Sequence, residues 1–178
     1  VRSNLGLTKD ALIIPSDVHD FMIERQLLSQ DQFVTVCGGN ILDESHITEF
    51  VNTLRHGNSK DSNFEGKKLA ATLFFHEHVV AILKLKRSSS QAWYDWIDSL
   101  PKQETLRKSQ DHTEDPDFVP NSVRIRCVDD EALKATIRWY ACSKFTDENR
   151  AFIDMYDWDE MASDFDPRVF QAFIWAEL

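Results

Sequence analysis

Cys37, His78 and Asp98 are the side chains whose types and order could carry nucleophilic chemistry in this chain. A thiol attacks a carbonyl as its thiolate, which is favoured at the positive N-terminal end of a helix. It needs a histidine within hydrogen-bond reach to take its proton. That imidazole in turn needs a carboxylate or amide to fix its tautomer. His78 opens the apolar run Val79-Val80-Ala81-Ile82-Leu83, and Asp98 closes the run Trp93-Tyr94-Asp95-Trp96-Ile97, twenty positions on. If the two runs are neighbouring strands, the histidine and the aspartate lie side by side. Cys37 precedes Gly38-Gly39-Asn40, a flexible backbone whose N–H groups could stabilise an oxyanion.

These groups depend on the elements around them. Pro15-Ser16-Asp17 starts a helix with Val18, Phe21, Met22 and Leu28 on one face. Gln32 to Cys37 reads two ways: Phe33-Val34-Thr35-Val36 has strand composition, while Ser29 could cap a short helix that Gly38-Gly39 terminates. Asp43 or Ser45 starts a helix with Ile47, Phe50, Val51 and Leu54 at the spacing of one face, ending near His56-Gly57. Residues 57–66 are polar with two glycines and read as a loop. Leu69 to Phe75 and Val79 to Leu85 read as a hairpin of buried strands, Trp93 to Ile97 as a third strand and Val123 to Cys127 as a fourth. Residues 102–121 are polar and read as a surface loop or insertion. Asp129 or Asp130 caps a helix with Leu133, Ile137, Tyr140 and Ala141 inward. Residues 146–166 are acidic and aromatic, with Phe152, Tyr156 and Trp158 expected to cover the core beneath a long loop or to present a partner-binding surface. Asp166-Pro167 is expected to start a last helix with Val169, Phe170, Phe173 and Ile174 buried. Strands in a block between helices point to an α+β fold: an antiparallel meander of about four strands packed against N- and C-terminal helices.

The segment from His78-Val79-Val80-Ala81-Ile82-Leu83 to Trp93-Tyr94-Asp95-Trp96-Ile97-Asp98-Ser99-Leu100-Pro101 resembles the His-to-Asp/Asn region of papain-like deubiquitinases and ubiquitin-like-protein proteases. In those families a histidine strand is followed by an aromatic strand ending in Asp-Ser or Asn-Ser. The pattern also resembles transglutaminase-like domains, and it covers about residues 69–101. The resemblance implies a papain-like fold and a thiol hydrolase acting on ubiquitin or a ubiquitin-like protein through Cys37, His78 and Asp98. In the order His-Asp-Cys, the nucleophile would instead be Cys142. Asp166-Pro167-Arg168-Val169-Phe170 resembles the protease signature with proline in place of cysteine, which would make the domain an inactive fold serving protein interaction or a larger assembly. A nucleophile preceding Val1 is a further alternative, since the chain opens on Val1 and reads as a piece of a longer one.

Each of these residues also has a plainer reading. Cys37, Cys127 and Cys142 are equally at home as small buried hydrophobes. His78 could bond a backbone carbonyl in a turn, and Asp98 could be a turn residue. His76 alternates with His78 and is a fallback base, whereas Asp95 is a mid-strand alternative to Asp98. His46, His76 and His78 lack the local partners of a metal site. No Gly-rich phosphate loop and no Gly-x-Ser-x-Gly elbow is present, so no metal or cofactor is expected.

Composition bounds the rest. The 178 residues suit one domain over 1–178, and a hydrophobic fraction of 42% supplies its core. A formal net charge of −10 repels nucleic acid and anionic membranes and leaves a protein partner, ubiquitin-like by the resemblance above. Three cysteines without a CxxC pair point to free thiols in the cytoplasm or nucleus. No signal peptide or membrane-spanning run is visible.

Overall fold

The computed structural model describes residues 15–57, 67–76, 78–86, 91–98, 122–159 and 166–177. Its elements are α1 (Pro15–Glu24), β1 (Phe33–Asn40), α2 (Glu44–His56), β2 (Leu69–Phe75), β3 (His78–Lys86), β4 (Ala92–Asp98), β5 (Val123–Cys127), α3 (Asp130–Lys144), α4 (Asp147–Met155) and β6 (Val169–Ala176). The fold is α+β, with one six-stranded antiparallel sheet in the order β1-β6-β2-β3-β4-β5.

Helices α2 and α3 form where the residue pattern places them. The Asp43 carboxylate accepts from the N–H groups of Ser45 (2.8 Å) and His46 (3.3 Å), satisfying donors that the first turn of α2 leaves open. Gly57 closes that helix at φ 77°, a backbone that favours glycine. Ile47, Phe50, Val51 and Leu54 are its buried face. Asp129 caps α3 in the same way, accepting from Ala132 N–H at 2.7 Å, and Leu133, Ile137, Tyr140 and Ala141 turn inward.

Alternation by two defines the sheet's inner face. Leu69, Ala71, Leu73 and Phe75 of β2 are buried, with Val80 and Ile82 of β3 and Tyr94 and Trp96 of β4 beside them. Helices α2 and α3 cover this face. A buried Tyr94 hydroxyl donates to Asp130 Oδ1 at 2.6 Å, and Arg55 of α2 pairs with the same carboxylate, tying β4, α2 and α3 together.

The sheet holds six strands where about four are expected. The helix expected after Asp166-Pro167 is instead β6, which lies between β1 and β2. The capping signal is real but local: Asp166 accepts from the Arg168 N–H at 2.8 Å and shapes a turn. Beyond it, Phe170, Ala172, Ile174 and Ala176 face α2 and the core, while His19 of α1 packs against Phe173 and Trp175. Apart from the exposed Gln171, β6 is apolar and covered along most of both faces, so its period of two is hidden and its run passes for a helix.

Residues 30–40 combine both readings. Ser29 caps a single 3-10 turn over Gln30–Gln32, and β1 follows. Gly38 and Gly39 continue the strand because neighbours come close. A Cβ on Gly38 would lie 3.0 Å from the Phe170 carbonyl oxygen, and one on Gly39, at φ 144°, would lie 2.9 Å from the His46 ring. Thr146 with Asn149 forms a capping box that starts α4, a helix where a long loop is expected. The expected loop at 102–121 lies outside the described residues.

Candidate functional site

The β2–β3 hairpin and its neighbour β4 set the histidine and the aspartate. His78 is the first residue of β3, paired with Phe75. Ala81 pairs with Ile97, so one step beyond that pairing Asp98 stands beside Val80, on the same face as His78. This places the two at a diagonal position that side chains bridge across a sheet. Tyr140 of α3 lies between them and the helix layer. Its ring meets His78 edge-on, centroids 6.0 Å apart, and its hydroxyl hydrogen-bonds the buried Asp98 carboxylate. Burial, and then the Asp98 charge and hydrogen bond, push the Tyr140 phenol well above its ordinary range, so it remains a donor. Trp96 packs against the same ring at 5.0 Å.

Cys37 faces the same side of the sheet but is not part of this cluster. It pairs with Ala172 on β6, Ala172 pairs with Leu73 on β2, and Leu73 pairs with Val80 on β3. Three inter-strand steps, each about 4.8 Å, put roughly 14 Å or more between the Cys37 and His78 backbones. Nor does a helix N-terminus face the thiol. Burial raises the Cys37 pKa, a hydrogen bond with Thr53 lowers it, and the Glu49 charge raises it again, for a net rise. Thr53 lies in the last turn of α2, the negative end of the helix dipole, which disfavours a thiolate.

The other candidates have separate roles. Cys127 is buried, with Sγ 3.4 Å from Thr136 Oγ1, and burial raises its pKa. Cys142 is exposed on α3, and its carbonyl accepts from Arg150 at 2.9 Å. His76 is not on the strand with His78. It occupies the turn at φ 57°, with Nε2 3.1 Å from Asn149 Oδ1 of α4. His46 accepts from the Asn40 N–H through Nδ1 at 3.1 Å, beneath Gly39. Asp95 points to the opposite face from His78, where Arg124 and Arg126 pair with its buried carboxylate and Arg126 lies over the Trp93 ring. Among the described residues no group of three or more His, Cys, Asp or Glu could hold a metal ion, and no helix is long and apolar enough to cross a membrane.

Tyr140 is the residue that sequence reasoning misses. It is read there as one more inward position of a helix. A signal did exist, because a buried tyrosine hydroxyl requires a partner, but nothing in the sequence says which carboxylate supplies it.

A second polar cluster fastens the segment after α4. Arg168 and Asp166, each with 7% of its side chain exposed, form a bidentate pair with contacts at 2.7–3.2 Å. Arg168 Nη2 also donates to the Tyr156 carbonyl at 3.0 Å, and its guanidinium lies over Trp158. Phe152 and Tyr156, expected over the core, are exposed instead, while Trp158 is half-buried against His46. Compared with known proteins, the chain matches no family model, no curated protein and no solved structure.

Proposed function

We propose that this chain is a non-catalytic protein-interaction domain that keeps the histidine and aspartate strands of a papain-like fold and serves ubiquitin or a ubiquitin-like partner in the cytoplasm or nucleus. The observation that carries the proposal is the separation of the Cys37 thiol from His78 by three strands. A proton cannot pass between groups that far apart, and burial with the Glu49 charge outweighs the Thr53 hydrogen bond and disfavours the Cys37 thiolate.

A second reading, a thiol hydrolase, is favoured by one observation: His78 and Asp98 share a face at a diagonal register. It requires a nucleophile other than Cys37 to reach His78. The experiment that separates the two uses ubiquitin carrying a C-terminal electrophile, alongside unmodified ubiquitin. The interaction reading expects saturable binding of ubiquitin and no covalent adduct. An adduct on any cysteine, lost in His78→Ala, overturns the non-catalytic reading. Absence of binding to ubiquitin and to a panel of ubiquitin-like proteins overturns the proposed partner class.

A further inference from the structure

The outer face of α4 serves no part of the core. Phe152 is 36%, Met155 72% and Tyr156 53% exposed, at the i, i+3, i+4 spacing of one helical stripe, and the Phe152 and Tyr156 rings meet at a tilt, centroids 4.8 Å apart. An exposed apolar stripe of this kind on a domain surface marks a contact site. Here it is also held rigid. The capping box fixes the start of the helix, Asn149 meets His76 at 3.1 Å, Ile153 packs on the core, and Arg168 holds the Tyr156 carbonyl. A face ordered before binding loses little entropy on docking.

Carboxylates rim the stripe. Glu148 stands at its start, Asp154 beside it, and Asp157 and Asp159 at its end, all exposed. The cation on this helix, Arg150, turns back to the Cys142 carbonyl. From this the geometry points to α4 as the docking surface for a protein face that presents an apolar anchor ringed by lysines or arginines. The inference rests on the interaction reading above and names its surface. A second copy of the chain is a poor occupant. Its net charge is −10. Aligned acidic rims would repel.

The test is amide chemical-shift mapping of the whole chain against a synthetic leucine–lysine amphipathic peptide, with a leucine–glutamate peptide of the same pattern as control. The expected result is binding of the lysine peptide alone, with shifts clustered over 148–159. Affinity should fall as salt rises from 50 to 200 mM, as rim charges are screened (on the order of a Debye length of 8 Å at physiological salt). The double variant Met155→Ser, Tyr156→Ser is expected to weaken binding about tenfold or more, as loss of anchor residues does. Val36→Ser, an exposed apolar residue on edge strand β1, is expected to leave binding within about twofold, the size of effect for a residue outside the contact. Shifts centred elsewhere, equal binding of both peptides, no binding, or equal losses in the two variants would each overturn the assignment. Ubiquitin mapped in parallel separates the two levels. If it binds away from 148–159, the interaction reading stands and the α4 surface falls; if neither ubiquitin nor peptide binds, both fall.

Discussion

The separation of Cys37 from His78 predicts how the thiol reacts. An unperturbed thiol is roughly 3% thiolate at pH 7, and burial places Cys37 below that fraction. A protonated His78 at about 14 Å would change the Cys37 equilibrium by about 1.2 kcal/mol at the effective dielectric constant of roughly 20 that suits partly buried groups, a factor of about 7 before salt screening. A catalytic pair would instead hold the thiol almost wholly as thiolate at that pH, roughly thirtyfold above an ordinary thiol. Limited iodoacetamide labelling from pH 5 to 9, read site by site by mass spectrometry, measures this directly. Exposed Cys142 is expected to label first and Cys37 more slowly, with His78→Ala changing the Cys37 rate less than about sevenfold. Glu49→Gln removes a carboxylate that raises the Cys37 pKa and is expected to speed its labelling, while Thr53→Val removes a hydrogen bond that lowers it and is expected to slow it. Fast labelling of Cys37 below pH 7 that disappears in His78→Ala would refute the geometry and the non-catalytic reading together.

Further outcomes concern stability. Arg168→Ala strands the Asp166 carboxylate in a nearly buried site, and is expected to cost about 3–5 kcal/mol, a melting-point loss of ~6–20 °C for a domain of this size by scanning calorimetry; Asp166→Asn combined with Arg168→Met should recover much of it. Tyr140→Phe leaves the buried Asp98 without its phenolic donor and is expected to cost about 1–3 kcal/mol by urea denaturation. Burial raises the Asp95 and Asp166 carboxyls, but hydrogen bonds from Arg126 and Arg124 in one case and Arg168 in the other outweigh it and hold both below the ordinary carboxylate range. A depressed folded pKa gives stability that is complete above the unfolded value near 3.9 and is lost as pH falls through the folded one. The urea midpoint is therefore expected to drop below about pH 4, less steeply in Asp95→Asn.

The residues differ in how much they reveal on their own. Helices α2 and α3 were legible because capping aspartates and a one-sided apolar stripe state both ends and the inner face. The proximity of His78 and Asp98 was legible because strands joined in sequence tend to pair. The distance of Cys37 was not. Whether β1 meets β2 is decided by β6, more than 90 residues beyond the hairpin's first turn, and no spacing near Cys37 records that a C-terminal strand enters there. Helix α4 was masked for the opposite reason. Its capping box is local and readable, but it buries little, and its apolar stripe turns to solvent rather than covering the core.

The β2–β3 turn joins the two parts of the functional argument. His76 in that turn meets Asn149 of α4, and two residues on His78 meets Tyr140 of α3, which holds Asp98. The acid-rimmed face of α4 is thus fastened to the end of the hairpin that carries the histidine. A partner seated on α4 would press on a helix that is braced against the sheet through His76 and Ile153. This arrangement gives the His78–Asp98 end a use that needs no thiol. Tyr140 and Asp98 fix α3 on the sheet, His78 packs against them, and α4 is thereby presented in one orientation. Docking then depends on the same hydrogen bonds that hold the core, so loss of the Tyr140–Asp98 bond should weaken partner binding through α4 as well as stability, whereas a change at Cys37 should leave both nearly untouched.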